Sequence, residues 1–309
     1  MNDRCDIVYG VANLSNLFCS LKDKYCLFVE PGGNCGDYLI YKGAEKIANS
    51  CGLQFKSVSI QEFLHCSYPI ESVVYIHGSG GFVPWWSGTP ILALKKALSD
   101  YGGPIIVGPS TFHIDYDYIN NEVIKPISEK DGRDVTVFCR ELSSYNFMKD
   151  NFSQNIKIAL DNDTALSLCA SDIIETVPSG SYTAYFIRED KESIVDTYGL
   201  KPFFLDPGSL TNNFQEWVKL HANAKKIITN RLHSSILGTI LGKKVVLLPN
   251  NYHKNRSIWE YSLEDKGVFW QGSLVNNKFL KMLLGNSFVR RISSSYKLNE
   301  LIKKYYYGV

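Results

Sequence analysis

The chain has 309 residues, 45% of them hydrophobic and 21% charged, which excludes global disorder and low complexity. Lys and Arg number 33 against 31 Asp and Glu, so the net charge is only +2 and no general nucleic-acid surface is implied. No run of about 18 apolar residues occurs and the first residues lack a signal core, so a cytoplasmic protein without a spanning helix is expected.

Short apolar runs alternate with helical patterns along the chain. Residues 25–30 (YCLFVE) read as a strand, followed by a glycine-rich turn and a helix over 37–51. Further strands are expected at 72–77, 104–107, 134–139 and 156–160, with helices at 90–99 and 142–149. A polar stretch at 175–181 (ETVPSGS) reads as a linker. Beyond it, strands are expected at 182–187, 202–205, 226–229 and 244–248, and helices at 210–222, 232–241 and 257–264. The strand–helix rhythm predicts an α/β fold with parallel sheets. The expected domains are residues 1–174 and 182–309. A helix over 294–307 could return to the first of them.

Charge is uneven at one end. Residues 278–309 hold Lys278, Lys281, Arg290, Arg291, Lys297, Lys303 and Lys304 against Glu300 alone, a net of +6 that leaves −4 on the rest. Such a stretch is usually a solvated helix face, and with its tyrosines it also suits peripheral contact with an anionic membrane. Eight cysteines, at 5, 19, 26, 35, 51, 66, 139 and 169, show no CxxC spacing and no zinc pattern. They are expected to be reduced and mostly buried.

Four places carry candidate chemistry. The first is Gly32, Gly33, Asn34, Cys35, Gly36 and Asp37, between a strand and a helix. Glycines there let backbone approach an anion at the helix start. Asn34 and Asp37 are candidate binding residues, with helix capping as the alternative. The spacing does not fit a dinucleotide fingerprint. The second is His77, Gly78, Ser79, Gly80 and Gly81, again after a strand. Ser79, Gly80 and Gly81 would offer polar groups to the same ligand. His77 would line the site or cap its strand.

The third is Arg231, Leu232, His233 and Ser234 at a strand-to-helix junction. A permanent cation beside a titratable imidazole, at a helix start, suits acid–base work on an anion. The fourth, 21 residues beyond His233, gathers His253, Lys254 and Arg256 past the next strand. Arg140, after strand 134–139, would add another cation, unless it pairs with Glu141 or Asp134. Two acidic strings, Asp115/Asp117 and Asp161/Asp163, are weak candidates for a divalent ion, and no metal is expected.

The blocks GNCGD at 33–37, HGSGG at 77–81, FCRELSS around Arg140, and TNRLHSSILGTILGKKVVLLPNNYHKN at 229–255 resemble the polysaccharide pyruvyl transferase family. The resemblance implies two Rossmann-like α/β domains in a GT-B-like arrangement with an interdomain cleft. It also implies phosphoenolpyruvate as donor, a saccharide acceptor that a lipid could carry, and no cofactor. Arg140, Arg231, His233 and Lys254 match the family's functional positions. The residue chemistry agrees with that donor. Its carboxylate and phosphate call for fixed cations, here Arg231, Lys254 and Arg140, with Ser234 and Arg256 beside them. His233 is the candidate for the proton transfers. Two other readings stay open. One is a GT-B-type glycosyltransferase using a nucleotide sugar. The other is a non-catalytic saccharide-binding protein that stacks sugars on Trp85, Trp86, Tyr252 and Trp259.

Overall fold

The structure is a computed structural model and describes residues 13–86, 88–130, 132–195 and 204–273. The basic stretch at 278–309, the helix expected over 294–307, and Cys5 lie outside the described residues. The chain divides into two compact units. One is Met1–Gly32 with Ile40–Ser167, the other Gly33–Leu39 with Leu168–Val309. The division thus falls ahead of the 175–181 stretch, and a short piece near the first glycine turn groups with the second unit.

The first unit is built on six strands: β1 (Cys26–Glu30), β2 (Phe55–Ser59), β3 (Val73–Ile76), β4 (Ile105–Ser110), β5 (Val135–Cys139) and β6 (Lys157–Leu160). They form one parallel sheet in the order β2-β1-β3-β4-β5-β6. The helices are α1 (Leu14–Ser20), α2 (Cys35–Ser50), α3 (Ile60–His65), α4 (Thr89–Asp100) and α7 (Leu142–Phe152). Between α4 and α7 lie α5 (Tyr116–Ile119), a π-helical turn (Asn120–Ile124) and α6 (Lys125–Ser128).

Alternate residues of the central strands enter two separate cores. Leu27, Val29, Val74, Ile76, Ile105, Val107 and Val137 face one way. Cys26, Phe28, Val73, Tyr75, Ile106 and Phe138 face the other. Burial on both faces explains why these strands are mostly apolar along their length. The strand order reverses between β1 and β3, a reversal next to which ligands of open α/β sheets bind. Both glycine-rich stretches leave from these two strands.

The second unit carries β7 (Tyr182–Phe186), β8 (Ala224–Thr229), β9 (Lys244–Leu247) and the short β10 (Phe269–Trp270), parallel and in the order β10-β9-β8-β7. Its helices are α8 (Pro207–Leu210), α9 (Phe214–Ala222), α10 (Leu232–Ile240) and α11 (Lys254–Ile258), the last running into a π-helical turn (Trp259–Leu263). Tyr185, Ile187, Ile228, Val246 and Leu248 pack on one face of the sheet. Ala184, Phe186, Leu220 and Ile227 pack on the other.

Three expectations are corrected. Cys19 and Cys51 are joined in a disulfide between α1 and the residue after α2, so the cysteines are not all reduced. Of the free ones, Cys26, Cys35 and Cys139 are buried and Cys66 and Cys169 exposed. The strand expected at 202–205 is, in its described part, a single bridge from Leu205 to Phe186. The helix expected at 257–264 starts earlier, at Lys254, and widens to π geometry at Trp259.

One close packing fixes α2 in the first unit. Thr164 Oγ1 donates to the Ile40 carbonyl at 2.8 Å, and Ser167 Oγ to the Gly43 carbonyl at 2.9 Å. A Cβ on Gly43 would lie 2.0 Å from the Thr164 carbonyl oxygen. Gly43→Ala is therefore expected to lower stability by about 1–3 kcal/mol, although alanine is the better helix former. Urea midpoints of the two proteins measure the difference.

Candidate active site

In the second unit, three basic side chains meet three carboxylates beyond the ends of β7, β8 and β9. Arg231 follows β8, and its Nε and Nη2 each donate to Asp206 at 2.6 Å, a bidentate pair. Its Nη2 also lies 3.0 Å from Asp190. Arg188, just past β7, donates through Nε and Nη2 to Asp190 at 2.7 and 2.9 Å, and its Nη1 pairs with Glu192. Lys254, at the start of α11, donates to the same Glu192 at 2.5 Å. All but Asp190 and Arg231 are buried, and those two are 24% and 15% exposed.

Amides and backbone complete the network. Asp206 Oδ1 also accepts from the Gly208 amide and Oδ2 from the Glu189 amide, each at 3.1 Å. Asn230 Oδ1 accepts from the Arg188 amide at 2.8 Å. Asn255 Nδ2 donates to the carbonyls of Asn230 and Leu248, tying together the residues that follow β8 and β9. Burial pushes the Asp190 carboxyl up, but Arg188 and Arg231 outweigh this and hold it below the usual carboxylate range. Burial likewise opposes the charge on Arg231, and Asp206, Asp190 and Glu192 more than restore it.

The network does not use all of Arg231. Among the described residues its Nη1 has no hydrogen-bond partner, so this edge can still donate to an anion. Arg231 is also the N-cap of α10, and no side chain caps that helix. His233 is half-buried in the first turn, and the buried Ser234 Oγ has no hydrogen-bond partner among the described residues. An uncapped helix start with an open guanidinium edge and a partnerless hydroxyl is a setting for a small anion.

The glycine turn at 32–37 contributes differently from a phosphate loop. Gly32 and Gly33 have φ of 85° and 133°, which lets the chain reverse out of β1. Asn34 Oδ1 then accepts from the Gly36 amide at 2.8 Å, and Asp37 Oδ2 accepts from the Asn34 amide at 2.9 Å. The two candidate binding residues thus cap α2 reciprocally. Gly36, in the segment that groups with the second unit, packs against His233. A Cβ there would lie 2.6 Å from the imidazole Nδ1.

The remaining candidates are engaged elsewhere. In the first unit Arg140 is 1% exposed, donates to Thr111 Oγ1 at 2.9 Å and pairs with Asp163 at 2.8 Å. Its partner is neither Glu141, which caps α7, nor Asp134, which pairs with Lys157. Ser79 Oγ accepts from the Gly81 amide at 3.1 Å, and Gly80 and Gly81 are half-buried. His77 neither lines an open surface nor caps its strand. It is buried among Phe28, Tyr41 and Tyr75, and neither ring nitrogen is hydrogen-bonded among the described residues.

Arg256, in the second unit, is exposed. It pairs with Glu260 and lies against the rings of Trp259 and Trp270, a site of its own. Trp259 also donates its indole N–H to the Val268 carbonyl. The acidic strings are taken up as well. Asp115 caps α5, and Asp161 accepts from the Leu14 amide. No group of three metal-ligating side chains occurs among the described residues.

Arg188, Asp190, Glu192 and Asp206 escaped the sequence reading. Two signals pointed to them. Arg188, Glu189 and Asp190 break off an apolar strand abruptly, and Asp206 before Pro207 and Gly208 is a helix-start signature.

The sequence model of the polysaccharide pyruvyl transferase family matches residues 34–252, more than half of the chain. The chain belongs to that family. The match takes in the Asn34–Asp37 turn, Arg140 and the whole Arg231–Ser234 region. No curated protein sequence matches at a significant level. The fold is similar to that of an uncharacterized protein of Klebsiella pneumoniae, with TM-score 0.66 and 20% identity over 85% of this chain and 100% of that one. HepE of Anabaena, crystallised with UDP and glucose, gives TM-score 0.41 and 10% identity over 93% of this chain and 100% of its own. Family membership marks the chain as a transferase and implies a saccharide acceptor. No described helix is long and apolar enough to cross a membrane.

Two predictions concern this chemistry. Asp206→Ala leaves the Arg231 guanidinium without its bidentate partner and is expected to cost about 3–5 kcal/mol, read from denaturant unfolding. The second concerns acid. Burial pushes the His77 imidazole down to about 3 and that of His221 down to about 4. Both stay neutral in the folded protein while the unfolded chain takes up protons below about 6.5. Stability is therefore full above pH 6.5 and falls toward pH 4, by about 1.4 kcal/mol per pH unit for each histidine. In His77→Leu the slope between pH 6.5 and 5 should halve, as followed by thermal melts across that range.

Proposed function

We propose that the protein transfers the enolpyruvyl-derived group of phosphoenolpyruvate onto a saccharide as a pyruvate ketal, with release of phosphate. What carries this reading is the opening turn of α10: uncapped, with the free edge of Arg231, the partnerless Ser234 hydroxyl and the imidazole of His233 together. Helix-start amides and a guanidinium favour a compact anion, and a neighbouring imidazole supplies proton transfer. Arg231 holds the donor, and Lys254 and Arg188 hold the carboxylates that orient it. The buried Arg140, already paired with Asp163, is left out of the donor contacts.

The reaction adds a proton to the donor's methylene carbon, which becomes a methyl group. A sugar hydroxyl forms a bond to C2, and a second hydroxyl displaces phosphate there to close the ketal. His233 gives the proton to the methylene and takes one from the first attacking hydroxyl, and the proton of the second hydroxyl leaves with the phosphate. The proposal includes the GT-B-like arrangement that the family resemblance implies, and a cytoplasmic setting. If the acceptor is lipid-linked, the basic stretch at 278–309 is the part suited to an anionic membrane.

Two measurements test the proposal. Phosphoenolpyruvate should raise the melting temperature where nucleotide sugars at the same concentration do not, since selective binding stabilises the folded state by mass action. Phosphate release with a panel of saccharides should then fall about 10²–10⁴-fold in His233→Ala, with the donor-induced melting shift retained. Stabilisation by nucleotide sugars alone, or near-wild-type turnover in His233→Ala, would overturn the assignment.

A further inference from the structure

Gly36 and Gly208 stand where helix geometry gives no reason for a glycine. Gly36 is the second residue of α2 and Gly208 the second of α8. Neither is among the glycines with positive φ. Alanine is the better helix former, so each glycine weakens its own helix. What distinguishes them is the space above their Cα atoms. A Cβ on Gly36 would lie 2.6, 2.7 and 2.9 Å from Nδ1, Cβ and Cγ of His233. A Cβ on Gly208 would lie 2.9 Å from Cζ of Arg231 and 3.2 Å from its Nε and Nη1.

We propose that Gly36 and Gly208 are positioning residues, two bare backbone floors that set the imidazole of His233 and the guanidinium of Arg231 for catalysis and donor binding respectively. The proposal rests on the pyruvyl-transfer reading for what those side chains do, not for where they lie. Each floor is held firmly. The Asn34–Asp37 capping pair fixes the turn that carries Gly36. Asp206 fixes Gly208 by accepting its amide while gripping Arg231. His233 cannot yield by swinging its ring tip alone, because its own Cβ is among the crowded atoms. A methyl group at either place therefore moves a functional side chain.

The two substitutions should part in their kinetics. Gly36→Ala shifts the imidazole and should lower kcat about 10–100-fold with little change in KM for the donor. Gly208→Ala shifts the guanidinium and should raise the donor KM about tenfold with a smaller change in kcat. In a His233→Gly background, Gly36→Ala should cause no further loss, because the group it acts through is gone, Cβ included.

A second readout needs no turnover. In protein labelled with ¹⁵N at histidine, Gly36→Ala should move the ring signals of His233 and leave those of His221 in place. Should Gly36→Ala fail to fold, adding His233→Gly should restore the fold by removing the crowded ring together with its Cβ. Unmoved His233 signals, signals that shift at all histidines alike, a kcat loss that persists in the His233→Gly background, or a fold that the second substitution does not restore would each overturn the proposal. If wild-type protein does not turn over phosphoenolpyruvate while the His233 signals move as expected, the donor assignment fails and the positioning role stands.

Discussion

Three cations and three carboxylates, packed beyond the ends of three adjacent strands, set the geometry of the candidate site. Buried charges are costly to desolvate, and such a cluster is tolerated only when every charge meets an opposite one in good geometry. Here Glu192 serves Arg188 and Lys254, Asp190 serves Arg188 and Arg231, and Asp206 grips Arg231 with both oxygens. The loop after β7, the start of α8, the junction before α10 and the start of α11 are thereby held to one another. Both oxygens of Asp206 and the Asn230 Oδ1 also accept from backbone amides, which pins these side chains to the main chain rather than only to each other.

The same residue type ends in opposite circumstances in the two units. Arg140 is sealed off, its charge taken by Asp163 and its Nε by Thr111. Arg231 has as firm a carboxylate grip, yet keeps an unused edge beside an uncapped helix start. A guanidinium has donors in excess of what one carboxylate can take, so it can be anchored and still bind. A lysine in its place would have to choose.

Strands buried on both faces were legible because they are almost wholly apolar, as in residues 73–76 and, with Thr136 the exception, 135–139. β2 was not, since only Val58 of its five residues is buried and the rest read as a polar loop. α1 is a short helix whose buried side is just Leu14 and Phe18, too little for a visible period. The Arg231–Ser234 junction announced itself by placing polar residues inside an apolar stretch. Its carboxylate partners did not, because Asp190, Glu192 and Asp206 reach Arg231 and Lys254 through pairings of distant sequence positions that no local spacing encodes. The glycines of the 32–37 turn were read as room for an anion. The structure uses Gly36 as room for a side chain, and the sequence is the same for both uses.

Shared ownership of the acids has an evolutionary corollary. Because three bases balance three acids, neutralising or reversing any one of the six positions leaves the cluster with an uncompensated charge. A change at one of these positions is therefore tolerated best when a second change offsets its charge. Exposed pairs such as Arg256 with Glu260 are free to drift one residue at a time.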